Sequence, residues 1–185
     1  MSWNNTTDRY GSLSIGMHWL MLALLIGVYA CIELRGFFPR GSDLREGLKM
    51  WHFMLGLSVF VLVWLRLAIR FVTPAPQMSP QVPGWQRHLA ELMHAVLYVF
   101  LISMPVLGWL NLSADSKVIP FFGLELPALI GPDKAFASAV EEVHETIGTL
   151  GYYLIGVHAA AALYHHYFVR DDTLQRMLPE RSGTP

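Results

Sequence analysis

One cysteine, Cys31, occurs in 185 residues, so no internal disulfide can form. Its position near the end of an apolar stretch suits a small packing side chain. Charge is scarce as well: 15% of residues are charged and the formal net charge is −1, which excludes the basic footprint of a nucleic-acid partner. The segment HET (144–146) has no second histidine at the H-E-x-x-H spacing, so a zinc-protease site is excluded. No repeat longer than a helix and no low-complexity tract is present. What the chain has in abundance is apolar residues, 54% of the total.

These residues collect into four blocks, 13–34, 51–72, 88–110 and 143–168. Each reaches the ~20 residues a helix needs to cross ~30 Å of hydrocarbon. The expectation is an all-α membrane protein, a four-transmembrane-helix bundle forming one domain over 1–185. A cleaved leader is the competing reading of the first block, with Val-Tyr-Ala-Cys (28–31) as its cleavage site. Its basic flank holds only Arg9, its apolar run exceeds a leader's, and cutting there would discard His18. The connectors are distinct. Residues 33–49 are dense in charge, glycine and proline, and 73–85 hold four prolines and must be extended. Residues 111–140 read as the longest loop, with 135–142 as a surface helix leading into the last span.

Basic residues weigh the two sides almost equally. Arg9, Arg66, Arg70, Arg87, Arg170, Arg176 and Arg181 fall on the side of the termini. Arg35, Arg40, Arg45, Lys49, Lys117 and Lys134 fall on the other. The positive-inside rule then favours cytoplasmic termini narrowly. Four of the outer six crowd into 35–49, where topology does not require them.

The last apolar block carries His144, His158, His165 and His166, and ionisable groups within a span usually face the bundle interior with a partner. Chain direction converts position into depth. His18 and His94 lie toward the cytoplasm, and His52 and His144 toward the outer face. His158 is fourteen residues beyond His144, about 21 Å along the helix and within about 40° of the same face. Two imidazoles at equal depth on facing helices can hold a flat metal macrocycle between them. Without a C-x-x-C-H segment such a haem is b-type and non-covalent. At the outer level only His52 and His144 are available. At the inner level His18, His94 and His158 all qualify. His18 with His158 is preferred, leaving His94 as a neighbour of that site or a quinone-side residue. Gly56 and Gly148 stand four residues after His52 and His144, where a missing side chain admits a porphyrin plane. Close helix packing explains Gly148, Gly151 and Gly156 as well. Histidines used purely as interhelical hydrogen-bond donors are the non-redox alternative.

The segments RGFFPR (35–40), HET (144–146), GVHAAAAL (156–163), HHYF (165–168) and DTLQRMLP (172–179) carry a resemblance. The chain resembles the bacterial cytochrome b561 family, di-haem four-helix membrane proteins, over nearly its whole length. That resemblance implies two haem b groups, with His52 and His144 the iron ligands of the outer one and His18 and His158 of the inner one. It further implies a bacterial inner-membrane enzyme that takes electrons from periplasmic superoxide and delivers them to ubiquinone, with no protein partner required. A cytochrome b subunit relaying electrons from a partner dehydrogenase is the alternative. Within this reading Arg35, Arg40, Arg45 and Lys49, joined by Lys117 and Lys134, either steer the superoxide anion or bind haem propionates, Arg35 and Lys49 being the propionate candidates. Pairing with Glu33, Asp43 and Glu46 is the plainer role for the same cations. His94, His165, His166, Arg66 and Arg87 are the quinone-side candidates, and one of His165 and His166 is expected to cap helix 4.

Overall fold

The computed structural model describes residues 3–6, 9–74, 76 and 83–179; Arg181 and most of the proline-rich connector lie outside the described residues. Four long helices dominate: α1 (Ser12–Leu34), α2 (Asp43–Val72), α3 (Gly84–Ala114) and α4 (Lys134–Tyr164). Each is long and apolar enough to cross a membrane. Their exteriors show why lipid is the matching solvent. Ile26 (61%), Val99 (67%) and Tyr153 (70%) are exposed along mid-helix positions where a water-soluble bundle would be polar. Helices suit that solvent because every mid-helix backbone group is satisfied within its own segment.

The ends of the helices differ from the apolar blocks for local reasons. α2 begins eight residues before Trp51, because Ser42 caps it: the Arg45 N–H donates to Ser42 Oγ at 3.4 Å. Asp43 and Glu46 then place negative charge in the first turn, where the helix dipole favours it. α4 likewise starts at Lys134. Asp133 caps it, accepting from Phe136 N–H at 3.0 Å, so 135–142 is the first part of one continuous helix and not a separate surface helix. α3 runs on to Ala114 and keeps Pro105 inside it. The expected loop at 111–140 therefore shrinks to 115–133 and contains a hairpin, β1 (Ile119–Phe121) with β2 (Leu124–Leu126). Phe122 and Gly123 turn it with φ of 47° and 85°, the positive pair that a two-residue hairpin turn requires.

The chain divides into two compact units. The hairpin unit comprises residues 21–63 and 98–151. Its core gathers Leu57, Leu112 and Ile119 with Phe53, Trp109, Phe121 and Leu126, which fixes the hairpin against α2 and α3. The terminal unit comprises residues 1–20, 64–97 and 152–185. In it α4 ends in a π-helical turn, His165–Val169, closed by Arg170 in the left-handed region at φ 59°. Trp19 Nε1–H donates to the Met177 carbonyl at 2.7 Å and ties the following segment to α1.

Candidate functional site

In the hairpin unit, α2 and α4 bring His52 and His144 together with ring centroids 6.2 Å apart and planes at 72°. His52 Nδ1–H donates to the Val28 carbonyl at 3.0 Å, which leaves Nε2 as the unused nitrogen. This is the arrangement by which a backbone acceptor orients a metal-binding imidazole. The Met104 carbonyl acts on the His144 ring. No hydrogen bond of full geometry reaches its buried Nδ1. Gly108 on α3 lies against the same ring; a Cβ there would sit 3.5 Å from His144 Cε1, so a larger side chain would displace it.

In the terminal unit, four helices contribute. His18 (α1) and His158 (α4) have ring centroids 6.3 Å apart at 65°, while His94 (α3) lies 5.5 Å from His158 at 77°. His94 Nδ1–H donates to its own helix, to the Ala90 carbonyl at 2.7 Å. Arg66 (α2) Nη2 lies 3.1 Å from His18 Nδ1. A guanidinium can only donate, so His18 Nδ1 accepts here and a neutral ring carries its proton on Nε2. Metal binding through that Nε2 needs Arg66 to leave Nδ1.

Both preferred pairs have room for one shared metal atom. Two metal–imidazole bonds of about 2 Å, plus the two ring radii, give a centroid separation of about 6 Å. Among the described residues no group of three or more His, Cys, Asp or Glu side chains is placed to hold a metal ion, and the two sites each bring a pair of imidazoles together. The glycines separate by role. A Cβ on Gly151 would overlap the Tyr29 hydroxyl and the Phe100 ring, making it the packing glycine. A Cβ on Gly56 would meet nothing within 4 Å, so the backbone one turn beyond His52 borders open space. Gly148 meets only Met104 Cε, and its carbonyl accepts from the Tyr29 hydroxyl at 2.8 Å.

The cations of 35–49 are not equivalent. Arg45 Nη1 donates to the carbonyls of Arg35 (2.8 Å) and Phe38 (3.1 Å), so it braces the turn after α1. Lys49 is paired with Glu46 at 2.8 Å, and Arg35 lies 4.0 Å from Glu145. Lys117 pairs with Asp115 at 2.6 Å, and that hydrogen bond holds the Asp115 carboxyl below the usual carboxylate range. Arg40 is exposed and makes no ion pair or hydrogen bond among the described residues.

Of the quinone-side candidates, Arg66 and His94 join the His18–His158 cluster. Arg87 is exposed and 3.8 Å from Glu91. His166 packs on Tyr167 with its Nδ1 buried and unpartnered. His165 bonds through Nδ1 to Asp171 Oδ2 at 2.5 Å. Asp171 escaped the sequence reading: it stands in a charged stretch after the last apolar block, and nothing local signals that it is buried at 3% exposure. Burial alone would raise its carboxyl, but hydrogen bonds from His165 and from the Thr173 backbone N–H bring it below the ordinary value.

Comparison with known proteins gives a consistent picture. Residues 9–180 match the family described as prokaryotic cytochrome b561. The chain is 36% identical over 174 residues to "Cytochrome b561 homolog 1" of Escherichia coli K12, covering 94% of this chain and 99% of that one. It is 36% identical over 175 residues to "Probable superoxide oxidase CybB" of Yersinia pestis, covering 95% and 98%. "Cytochrome b562" of Cereibacter sphaeroides is 27% identical over 179 residues, covering 93% and 96%.

Proposed function

Since this chain belongs to the prokaryotic cytochrome b561 family of membrane electron-transfer proteins, we propose that it oxidises superoxide and reduces ubiquinone in the bacterial inner membrane, with both termini cytoplasmic. The observation that carries this reading is the pair of two-imidazole sites, one per unit, each drawing one ligand from α4. The Yersinia pestis relative named as a superoxide oxidase supports the choice of substrate. His52 with His144, and His18 with His158, are the residues that would hold the two haem irons. Two haem b groups held there would supply one-electron centres between a one-electron donor and a two-electron acceptor.

The residues of the chain divide the remaining work. Val28 orients His52 through its carbonyl, and Gly108 and Gly56 keep the surroundings of the pair clear of side chains. Arg40 presents an unpaired cation that raises the local concentration of a small anion. Arg66 and His94 flank the His18–His158 pair on the quinone side. In balance, two superoxide ions, one ubiquinone and two protons give two dioxygen molecules and one ubiquinol.

The test is direct. The purified single chain should show a b-type reduced-minus-oxidised spectrum with two haems, and should form ubiquinol when supplied with superoxide. His52→Ala or His144→Ala should each remove one haem and spare the other. Loss of both from a folded variant would contradict the pairing. A protein holding both haems that forms no ubiquinol from superoxide would instead support the relay from a partner dehydrogenase.

A further inference from the structure

We propose that His165 and Asp171 form a proton-delivery dyad for quinone reduction, with His165 giving protons to the quinone oxygens and Asp171 positioning its ring. The proposal rests on the quinone-reducing function above and adds the route of its protons. His165 opens the π-helical turn that follows α4, seven residues or about 10 Å beyond His158 and close to the same face. Its side chain is 21% exposed, whereas the Asp171 side chain is 0% exposed. One edge of the ring is thus open while its partner is closed off.

Asp171 is held in a way that mere helix capping does not require. Oδ2 takes His165 Nδ1 at 2.5 Å and Oδ1 accepts from Thr173 N–H at 2.9 Å. The chain is bent to reach this arrangement. The π-helical turn begins at His165, Arg170 adopts a left-handed conformation, and Asp171 N–H returns to the His165 carbonyl at 3.3 Å. Such turns recur at functional sites. The other charged groups described in this segment are Arg170, Asp172 and Arg176. Arg176 is buried, with Nε 3.1 Å from Asp172 Oδ1 and Nη1 donating to the Pro76 carbonyl at 3.1 Å.

A carboxylate acceptor fixes the imidazole proton on Nδ1 and turns Nε2 outward as the exchanging atom. In the step, the Nε2–H bond of the protonated ring breaks as an O–H bond forms on the quinone. The ring keeps its Nδ1 proton and regains the Nε2 proton from water. Two such transfers match the two electrons delivered by two superoxide ions.

The experiment uses the full-length, haem-loaded protein, reduced with dithionite and mixed with a short-chain ubiquinone while the α-band is followed. Asp171→Asn and His165→Ala should each slow reoxidation at least about tenfold with unchanged haem content. Millimolar imidazole in solution should restore the rate of His165→Ala, which a structural role would not allow. Wild-type rates in both variants, or slow rates that imidazole leaves untouched, would overturn the proposal. If His165→Ala loses haem, solvent deuterium decides on Asp171→Asn: a slowing larger than in the wild type supports the dyad, and an equal one overturns it. A wild type that quinone does not reoxidise sinks the dyad together with quinone reduction. A wild type that quinone reoxidises but superoxide cannot reduce removes only the proposed electron donor.

Discussion

Arg40 and Arg45 stand five residues apart, and their guanidinium groups meet different surroundings. Arg45 is spent on the carbonyls of Arg35 and Phe38, whereas Arg40 points to solvent. Arg45→Gln should destabilise the protein by about 1.5–3 kcal/mol, the worth of hydrogen bonds to a charged group, measurable as a lowered melting temperature. Arg40→Gln should leave that temperature unchanged and flatten the ionic-strength dependence of the superoxide rate. An unchanged salt profile would remove Arg40 from the steering role. Asp171 offers a second residue-scale outcome. Its carboxyl is depressed in the folded protein, so its stabilising effect is complete above the ordinary carboxylate value and is lost as pH falls through the lower folded one. Proteolytic cutting of the segment after α4 should therefore stay low from neutral pH down to the usual carboxylate range and rise below it. Asp171→Asn should abolish that pH step.

At the scale of elements, the glycines of α2 and α4 distinguish packing from cofactor space. Gly151→Ala would force a methyl group into Tyr29 and Phe100, at a cost of about 1–3 kcal/mol that thermal unfolding would reveal. A Cβ on Gly56 would meet no protein atom within 4 Å, so Gly56→Leu should leave helix content unchanged. If that space admits a porphyrin, haem stoichiometry should fall toward one; two haems in the folded variant would mean the space serves something else. The helix limits were partly readable in advance. α1 matches its apolar block to within a residue, because its ends coincide with a change in hydropathy. α2 and α4 do not, because Ser42 and Asp133 cap them within polar sequence where hydropathy carries no signal.

For the whole molecule, apolar exteriors on four long helices and membership of a prokaryotic membrane family make this a multi-pass bacterial membrane protein. Orientation is the proposed part, since seven basic residues oppose six. A reporter fused after Pro185 should be active only in its cytoplasmic form, and activity of a periplasmic reporter there would reverse the assignment. The hairpin lay outside sequence reach for a different reason. Two three-residue strands gain stability from Leu57 and Leu112, which are distant in the chain, and hardly at all from their own propensity.

Hydropathy by itself determined four spans, the segments from RGFFPR to DTLQRMLP carried the family, and histidine spacing set His52 and His144 at one depth, where their rings lie 6.2 Å apart. Hydropathy and spacing reach this far because a helix in lipid is a nearly one-dimensional object: position along the chain is depth, and the residue period is facing. Lateral neighbours are another matter. At the inner level depth admitted His18, His94 and His158 alike, and the tertiary structure brings all three together, adding Arg66 against His18. Tertiary structure also decided that Arg45 braces a turn, that Gly151 packs while Gly56 faces space, and that Asp171 folds back beneath His165. Each of these depends on which groups from separate stretches of chain share a few ångströms, and depth along a single helix cannot report that.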